Sequence, residues 1–197
     1  MIAIFDYGAG NLRSVENTLA EIGAPYTLVR DAGGLRRASK IILPGVGHFG
    51  QIMRALDEMQ VRQTFIDSIH GEIPFLGICL GLQALFKSSE EAPEVRGLSV
   101  YPGTVKRFPL DARVPHMGWN ELELQGQSRL LNGIGPHQYV YFAHSYYVPE
   151  TSHTVAACSY AARYTAAFEA GNVFGVQFHP EKSGPLGLAI MRNFVNL

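Results

Sequence analysis

The chain has 197 residues, of which 47% are hydrophobic and 17% charged, as expected for one globular domain with a substantial core. This composition excludes a disordered or fibrous protein, and 16 basic against 17 acidic residues provide no basic field for nucleic acid or an anionic membrane. No apolar run approaches the roughly 20 residues of a membrane span, and no basic segment precedes the first apolar run, as a signal peptide would require. We therefore expect a cytoplasmic protein.

The first half of the chain alternates short apolar runs with helical patterns. The patterns predict strands over residues 2–5, 26–29, 40–43 and 74–78, and helices over residues 12–22, about 51–70 and 80–87. Asn11 can cap the first helix, and Gly23 can end it. This rhythm predicts a parallel sheet covered by helices on both faces, with the loops at 44–48 and 77–81 at one carboxyl edge.

The second half is richer in strands. We predict strands over residues 100–108, 139–148, 153–160, 165–170 and 172–178, and a final helix over residues 186–195. A hairpin turn is expected at residues 170–172, where Gly171 lies between two strands. These patterns predict the α/β fold class, with residues 1–197 forming a single domain that has a mixed, mostly parallel sheet flanked by helices.

A cysteine lies between two glycines at the end of the fourth strand. Residues 77–81 read Gly-Ile-Cys-Leu-Gly, which is the Gly-x-nucleophile-x-Gly spacing of a nucleophile elbow. A sharp strand-to-helix turn strains the backbone at Cys79, and glycines on either side remove side chains that would collide. The helix N-terminus favours a thiolate, and the Leu80 N–H would face a developing oxyanion.

On its own, Cys79 would more often be a small buried hydrophobic residue, and only its context reverses that interpretation. The chain has 2 cysteines, so Cys79 and Cys158 cannot build a disulfide framework or a four-thiolate zinc site. A single bridge between them is not excluded by counting. The 7 histidines are scattered, with no spacing typical of zinc ligands.

A base and its orienting partner are present near the C-terminus. An alternating strand leads to His179, and Glu181 follows two residues later. A carboxylate on one imidazole nitrogen fixes the tautomer and leaves the other nitrogen to take the thiol proton. Without Cys79, the pair would be an incidental feature of a surface loop; with it, a nucleophilic triad is possible.

Residues 77–83 together with residues 177–181, which read Gln-Phe-His-Pro-Glu, resemble the class I (triad) glutamine amidotransferases. The resemblance implies a class I amidotransferase fold, flavodoxin-like with a nucleophile elbow. It also implies hydrolysis of the glutamine side-chain amide through a glutamyl thioester on Cys79, with His179 and Glu181 completing the triad. No metal and no organic cofactor are implied.

The same resemblance assigns residues around the substrate. The loop at residues 44–47 would supply a second oxyanion donor from Val46 beside that of Leu80. Residues 141–146 match a segment that helps to hold glutamine, although read locally they are a buried aromatic strand. The implied substrate-binding residues are Gly45, Gln83, His144, Ser145 and Tyr146.

Three stretches resemble one branch of the family, the glutaminase subunits of imidazole glycerol phosphate synthase in histidine biosynthesis. They are residues 6–15, residues 44–50 and residues 115–120, the last reading Pro-His-Met-Gly-Trp-Asn. The implied partner is the (β/α)₈-barrel cyclase subunit, which would receive the ammonia in a heterodimer. The implied interface residues are Asn11, Trp119, Tyr141 and Lys182.

Other interpretations remain open at this level. Trp119 is the only tryptophan, and a buried core position is the alternative to an exposed anchor. Lys182 adjoins Glu181, so a partner contact there could reach the triad. A different Cys–His hydrolase of similar fold, such as a γ-glutamyl peptidase, and a catalytically silent binding subunit are the competing functions.

Overall fold

The computed structural model describes residues 1–197 and contains one nine-stranded sheet and one three-stranded sheet. The strands are β1 (Ile2–Phe5), β2 (Tyr26–Val29), β3 (Lys40–Gly45), β4 (Phe75–Cys79), β5 (Phe86–Ser89), β6 (Tyr101–Arg107), β7 (His116–Leu124), β8 (Gln138–His144), β9 (Tyr146–Tyr147), β10 (Thr154–Tyr160), β11 (Ala162–Ala170) and β12 (Val173–Val176). The helices are α1 (Leu12–Ile22), α2 (Ala32–Arg36), α3 (Phe49–Glu58), α4 (Arg62–His70), α5 (Leu80–Gln83) and α6 (Gly184–Val195). A 3₁₀ turn covers Pro180–Lys182.

The strand order of the large sheet is β2-β1-β3-β4-β12-β11-β10-β7-β8. The strands from β2 to β12 are parallel to one another, and the remaining strands are antiparallel to their neighbours. The last strand in the chain, β12, therefore lies beside β4 in the middle of the sheet, with Val176 paired to Ile78. On the other side of β4, Gly45 of β3 pairs with Cys79. Because parallel strands end at the same edge, the residues that follow β3, β4 and β12 meet there.

Helices cover both faces of the parallel strands, and the side chains of β1 show why. Ile2 and Ile4 join a buried cluster that includes residues of α1 and α6, whereas Ala3 and Phe5 join a second cluster with residues of α2, α3 and α4. Alternate residues of a strand point to opposite faces, so an uninterrupted apolar run fills both cores. No helix in the fold combines the length and the hydrophobicity that a membrane-spanning helix needs.

Two helix predictions are corrected by the structure. The helix expected over about residues 51–70 is interrupted between α3 and α4, where Gln60 has a positive φ of 56°. The helix expected over residues 80–87 ends at Gln83, and β5 begins at Phe86 after two intervening residues. The reason is long-range hydrogen bonding, since the carbonyls of Ala84 and Leu85 accept from the N–H groups of Leu98 and Tyr101.

Smaller differences concern the second half and one short helix. The strand expected over residues 139–148 is divided into β8 and β9, which belong to different sheets. Neither α2 nor β7 was predicted as an element. The hairpin at residues 170–172 is confirmed, since β11 and β12 pair antiparallel around Gly171, whose φ is 59°.

Candidate active site

Cys79 has a strained backbone at the junction of β4 and α5. Its φ is 54° and its ψ is −106°, a backbone conformation that residues other than glycine rarely adopt. A Cβ on Gly77 would lie 2.5 Å from the Gly81 carbonyl oxygen, and a Cβ on Gly81 would collide with the Leu43 carbonyl oxygen. The two glycines therefore permit the turn, which is the elbow geometry expected from their spacing.

Both cysteines are free thiols, so the disulfide left open by counting is absent. Cys158 lies in β10, and burial raises its pKa to about 11, which keeps that thiol protonated. Cys79 lines a cavity of about 270 Å³ at the carboxyl edge of the sheet. Cys79 is therefore the cysteine with access to a ligand.

His179 and Glu181 form a buried pair beside Cys79. The Nδ1 atom of His179 lies 2.9 Å from Oε1 of Glu181, and the two side chains are 3% and 1% exposed. A carboxylate only accepts hydrogen bonds, so Nδ1 carries a proton and Nε2 remains for the thiol. Burial lowers the pKa of His179, but hydrogen bonds to Cys79 and Glu181 and their negative charge outweigh it and raise that pKa to about 10. The site therefore favours the charged imidazolium form of His179.

The cavity brings together most of the expected substrate-binding residues. Gln83 contributes from α5, and residues 144–146 contribute from the junction of β8 and β9. Gly45 does not line the cavity. It packs behind the elbow, where a Cβ would lie 2.7 Å from the Gly81 nitrogen, so the absence of a side chain permits this close approach.

The two expected oxyanion donors differ in their surroundings. Leu80 lines the cavity and is the first residue of α5, so its N–H has no acceptor within the helix. Val46 also lines the cavity, but its N–H donates to the hydroxyl of Tyr7, at 3.2 Å. That hydroxyl is 3.4 Å from the Val46 carbonyl oxygen, and Tyr7 does not line the cavity. The Val46 N–H is thus directed at Tyr7.

His144 is fixed in one tautomer by its partners. Its Nδ1 lies 2.8 Å from the Tyr146 carbonyl oxygen, so Nδ1 must donate, and Nε2 then accepts from the Tyr164 hydroxyl at 3.3 Å. Burial lowers the pKa of His144 to about 3, which keeps the ring neutral. Both ring nitrogens are occupied by protein groups, so His144 shapes the cavity wall rather than offering a free nitrogen to a ligand.

Three of the four expected interface residues, Trp119, Tyr141 and Lys182, form a continuous row that reaches the cavity at Lys182, and this row is called the rim below. Trp119 is 56% exposed, which excludes the buried alternative, and its ring lies 6.2 Å from that of Tyr141. The Nζ of Lys182 lies 5.7 Å from the Tyr141 ring centroid. The fourth residue, Asn11, lies at the start of α1 but does not cap it through its side chain, which instead donates to Oε1 of Glu181 at 3.3 Å.

Sequence interpretation missed three residues that the structure places at the site. Gln177 belongs to the motif that ends in His179, yet no contact with Cys79 was expected; its Nε2 lies 3.5 Å from the sulfur. Glu91 lines the cavity from the loop after β5, and Tyr7 contacts Val46. Gln177 and Tyr7 each lie within a motif identified from the sequence, residues 177–181 and 6–15, but Glu91 lies in none.

This combination of a strained cysteine and a buried histidine–carboxylate pair agrees with the sequence comparisons. The profile of glutamine amidotransferase class-I matches residues 3–197. The chain belongs to the class I glutamine amidotransferase family. The mixed sheet, the flanking helices and the elbow described above are therefore the fold of a class I amidotransferase.

Similar class I amidotransferases include proteins named imidazole glycerol phosphate synthase subunit HisH. That of Methanothermobacter thermautotrophicus is 48% identical over 198 residues, covering 100% of this chain and 98% of the relative. That of Desulfitobacterium hafniense (strain Y51) is 47% identical over 196 residues, covering 98% and 93% of the two chains.

Solved structures share the fold at lower identity. A crystal structure of a glutamine amidotransferase superposes with a TM-score of 0.78 at 20% identity, covering 99% of this chain and 97% of the other. The PurLQS structure from Thermotoga maritima gives a TM-score of 0.76 at 19% identity, with coverage of 99% and 97%.

Proposed function

We propose that this chain is the glutaminase subunit of an imidazole glycerol phosphate synthase, acting in histidine biosynthesis. It hydrolyses glutamine to glutamate and ammonia and supplies the ammonia to a cyclase subunit. The observation that carries the proposal is the Cys79–His179–Glu181 arrangement in an accessible cavity. It occurs in a chain that is 43–48% identical, over nearly its whole length, to proteins named as that subunit.

The triad divides the reaction into two steps. The Cys79 thiolate attacks the carboxamide carbon, the resulting oxyanion collapses, and the C–N bond breaks as His179 protonates the departing ammonia. Water then attacks the thioester while His179 takes its proton, and glutamate leaves as the sulfur returns to thiolate. Glu181 holds the imidazole in one tautomer and stabilises its charged form in both steps.

Stabilisation of the oxyanion is incomplete in the observed geometry. Leu80 supplies one N–H, but the N–H of Val46 is engaged by Tyr7 at 3.2 Å. Because each oxyanion donor contributes about 2.7–4 kcal/mol, release of Val46 from Tyr7 would raise the rate of glutamine hydrolysis.

The walls of the cavity suit an amino acid. Glutamine carries an ammonium and a carboxylate as well as the carboxamide, and the residues that line the cavity include one acidic residue, Glu91, and one basic residue, Lys182. Gln83 and residues 144–146 also line the cavity and add polar groups to its wall. This charge pattern favours glutamine over a neutral amide.

The partner would be the (β/α)₈-barrel cyclase subunit, docked at the rim formed by Trp119, Tyr141 and Lys182, with Asn11 beside it. Exposed aromatic anchors are typical of such interfaces, and β7 and β8 also expose Met117 and Tyr139. The Tyr141 carbonyl accepts from the His179 N–H at 2.9 Å, so movement at the rim is transmitted to the triad. Direct transfer is required because free ammonia becomes ammonium near neutral pH.

The test is the Cys79→Ala variant in complex with the cyclase, with Cys158→Ala as the matched control. Glutamine-dependent synthesis should vanish in Cys79→Ala, while synthesis from added ammonium salt persists. Retention of glutamine-dependent synthesis would remove Cys79 as the nucleophile. Preference of the unaltered protein for γ-glutamyl peptides over glutamine would favour the peptidase, and no turnover of either would favour a silent binding subunit.

A further inference from the structure

Gln177 contacts the proposed nucleophile directly, although it is not one of the triad residues. It follows β12, is fully buried, and is held by a backbone hydrogen bond from its N–H to the Ala166 carbonyl at 2.9 Å. Its side-chain Nε2 lies 3.5 Å from Sγ of Cys79. A buried amide has no water to turn towards, so the sulfur is the acceptor for this N–H.

The orientation of the Gln177 amide follows from its neighbours. The Tyr146 carbonyl can only accept, so the Gln83 group at 2.8 Å from it must be the NH₂. The second hydrogen of that NH₂ is directed at Gln177, 3.0 Å away, which must therefore present its oxygen there. Gln177 consequently presents its own NH₂ to the sulfur. The chain of donors runs from Gln83 to Gln177 to Cys79.

We propose that Gln177 is a further catalytic residue, whose amide N–H stabilises the thiolate form of Cys79 and is aimed at the sulfur by Gln83 and the Tyr146 carbonyl. This inference rests on the proposed function, in which Cys79 is the nucleophile. A hydrogen bond to the charged form of a group favours that form. The hydrogen bond from Gln177 weakens when the sulfur becomes part of a neutral thioester and strengthens again when the sulfur leaves as thiolate. It therefore also assists hydrolysis of the thioester.

Gln177 supplies stabilisation of the thiolate that the short helix α5 does not provide. A helix of four residues has little macrodipole, so the expected helix contribution to the thiolate is small. His179 is the main positive partner, and Gln177 adds a donor that stays neutral at every pH. Besides His179 and its partner Glu181, the titratable residues that line the cavity with Cys79 are His144, Tyr146, Glu91 and Lys182. Tyr7 and Tyr164 are also close enough for the charge of Cys79 to raise their pKa values.

The test follows alkylation of Cys79 by iodoacetamide across pH, with the adduct located by peptide mass spectrometry. Gln177→Met and Gln177→Leu keep the bulk of the side chain but remove the donor. In both variants the midpoint of the pH–rate profile should move up by about one unit, with roughly tenfold slower alkylation below it. Gln125→Leu is the matched control, because Gln125 contacts Glu150 outside the cavity and its loss should leave the profile unchanged.

A second measurement leaves Gln177 intact and so does not depend on the variants folding. In the unaltered protein, the side-chain ¹⁵N–H signals of Gln177 should shift with the same midpoint as Cys79 alkylation, and this shift should be absent in Cys79→Ala. Unchanged alkylation profiles in folded variants, or Gln177 signals that ignore the state of Cys79, would overturn the proposal. Neither readout requires glutamine turnover, so failure of the proposed function would be seen separately.

Discussion

Replacing Tyr7 by phenylalanine tests whether the Tyr7 hydroxyl prevents the Val46 N–H from acting as the second oxyanion donor. The Tyr7 hydroxyl accepts from the Val46 N–H at 3.2 Å and lies 3.4 Å from the Val46 carbonyl oxygen. Burial raises the pKa of Tyr7 to about 12, so the hydroxyl stays neutral and the interaction persists at working pH. Phenylalanine removes the hydroxyl and keeps the ring.

Two energies bound the expected change in kcat for Tyr7→Phe. A neutral hydrogen bond contributes about 0.5–1.5 kcal/mol net, which corresponds to a factor of roughly 2–13 in a rate. A complete oxyanion donor is worth about 2.7–4 kcal/mol, so loss of the Tyr7 contact recovers only part of it. We expect Tyr7→Phe to raise the glutaminase kcat of the isolated subunit by about two- to tenfold.

The assay measures glutamate release with and without the cyclase and separates kcat from KM. In Tyr7→Phe the KM for glutamine should stay constant, and the stimulation by cyclase should shrink by the factor gained in the basal rate. Tyr26→Phe is the control, since the Tyr26 hydroxyl contacts Glu16 at 3.4 Å, away from the cavity. A folded Tyr7→Phe protein with an unchanged or lower basal kcat would refute restraint of Val46 by Tyr7.

Three further predictions concern acid stability, activation and the elbow. The pKa of His144 is lowered by burial from 6.5 to about 3, so the unfolded chain binds a proton that the folded chain does not. The free energy of unfolding should fall by about 1.4 kcal/mol per pH unit as the pH drops below 6.5, and His144→Gln should remove this part of the pH dependence when unfolding is measured by urea titration. The same dependence of unfolding free energy on pH in both proteins would contradict this prediction. Lys182→Ala should weaken cyclase-stimulated glutaminase by about tenfold or less, through loss of a cation–π contact with Tyr141 and of a rim charge; full stimulation would exclude this route. Gly81→Ala should lower stability by about 1–3 kcal/mol in thermal denaturation, because a Cβ there meets the Leu43 carbonyl; an unchanged Tm would show that the turn can relax.

Local patterns predicted the parallel half of the sheet well because its strands are continuous apolar runs separated by clear stops. β1 and β2 have their expected bounds, and Gly23 ends α1 in the left-handed conformation, with a φ of 78°. The elbow at Cys79 was also predictable, since the spacing of Gly77 and Gly81 follows from the steric demands of a tight turn.

Elements that depend on distant partners were not predictable in this way. The pattern after Gln83 suits a helix, but the helix ends there because the N–H groups of Leu98, in the loop before β6, and of Tyr101, the first residue of β6, donate to the carbonyls of residues 84 and 85. Tyr7 and Val46 are 39 residues apart, and neither carries a local signal of their contact. Gln177 was visible within a motif, but its bond to sulfur follows only from the pairing of β12 with β4.

The proposed covalent role of Cys79 can be tested by mixing the cyclase complex with glutamine and quenching the reaction in acid during turnover. The peptides of the quenched protein are then analysed by mass spectrometry. We predict that the Cys79 peptide gains the mass of one glutamyl group, that hydroxylamine removes it, and that His179→Ala lowers its rate of formation. Rapid turnover of glutamine with no adduct on this peptide at any quench time, or with the adduct on Cys158, would contradict a thioester mechanism at the elbow.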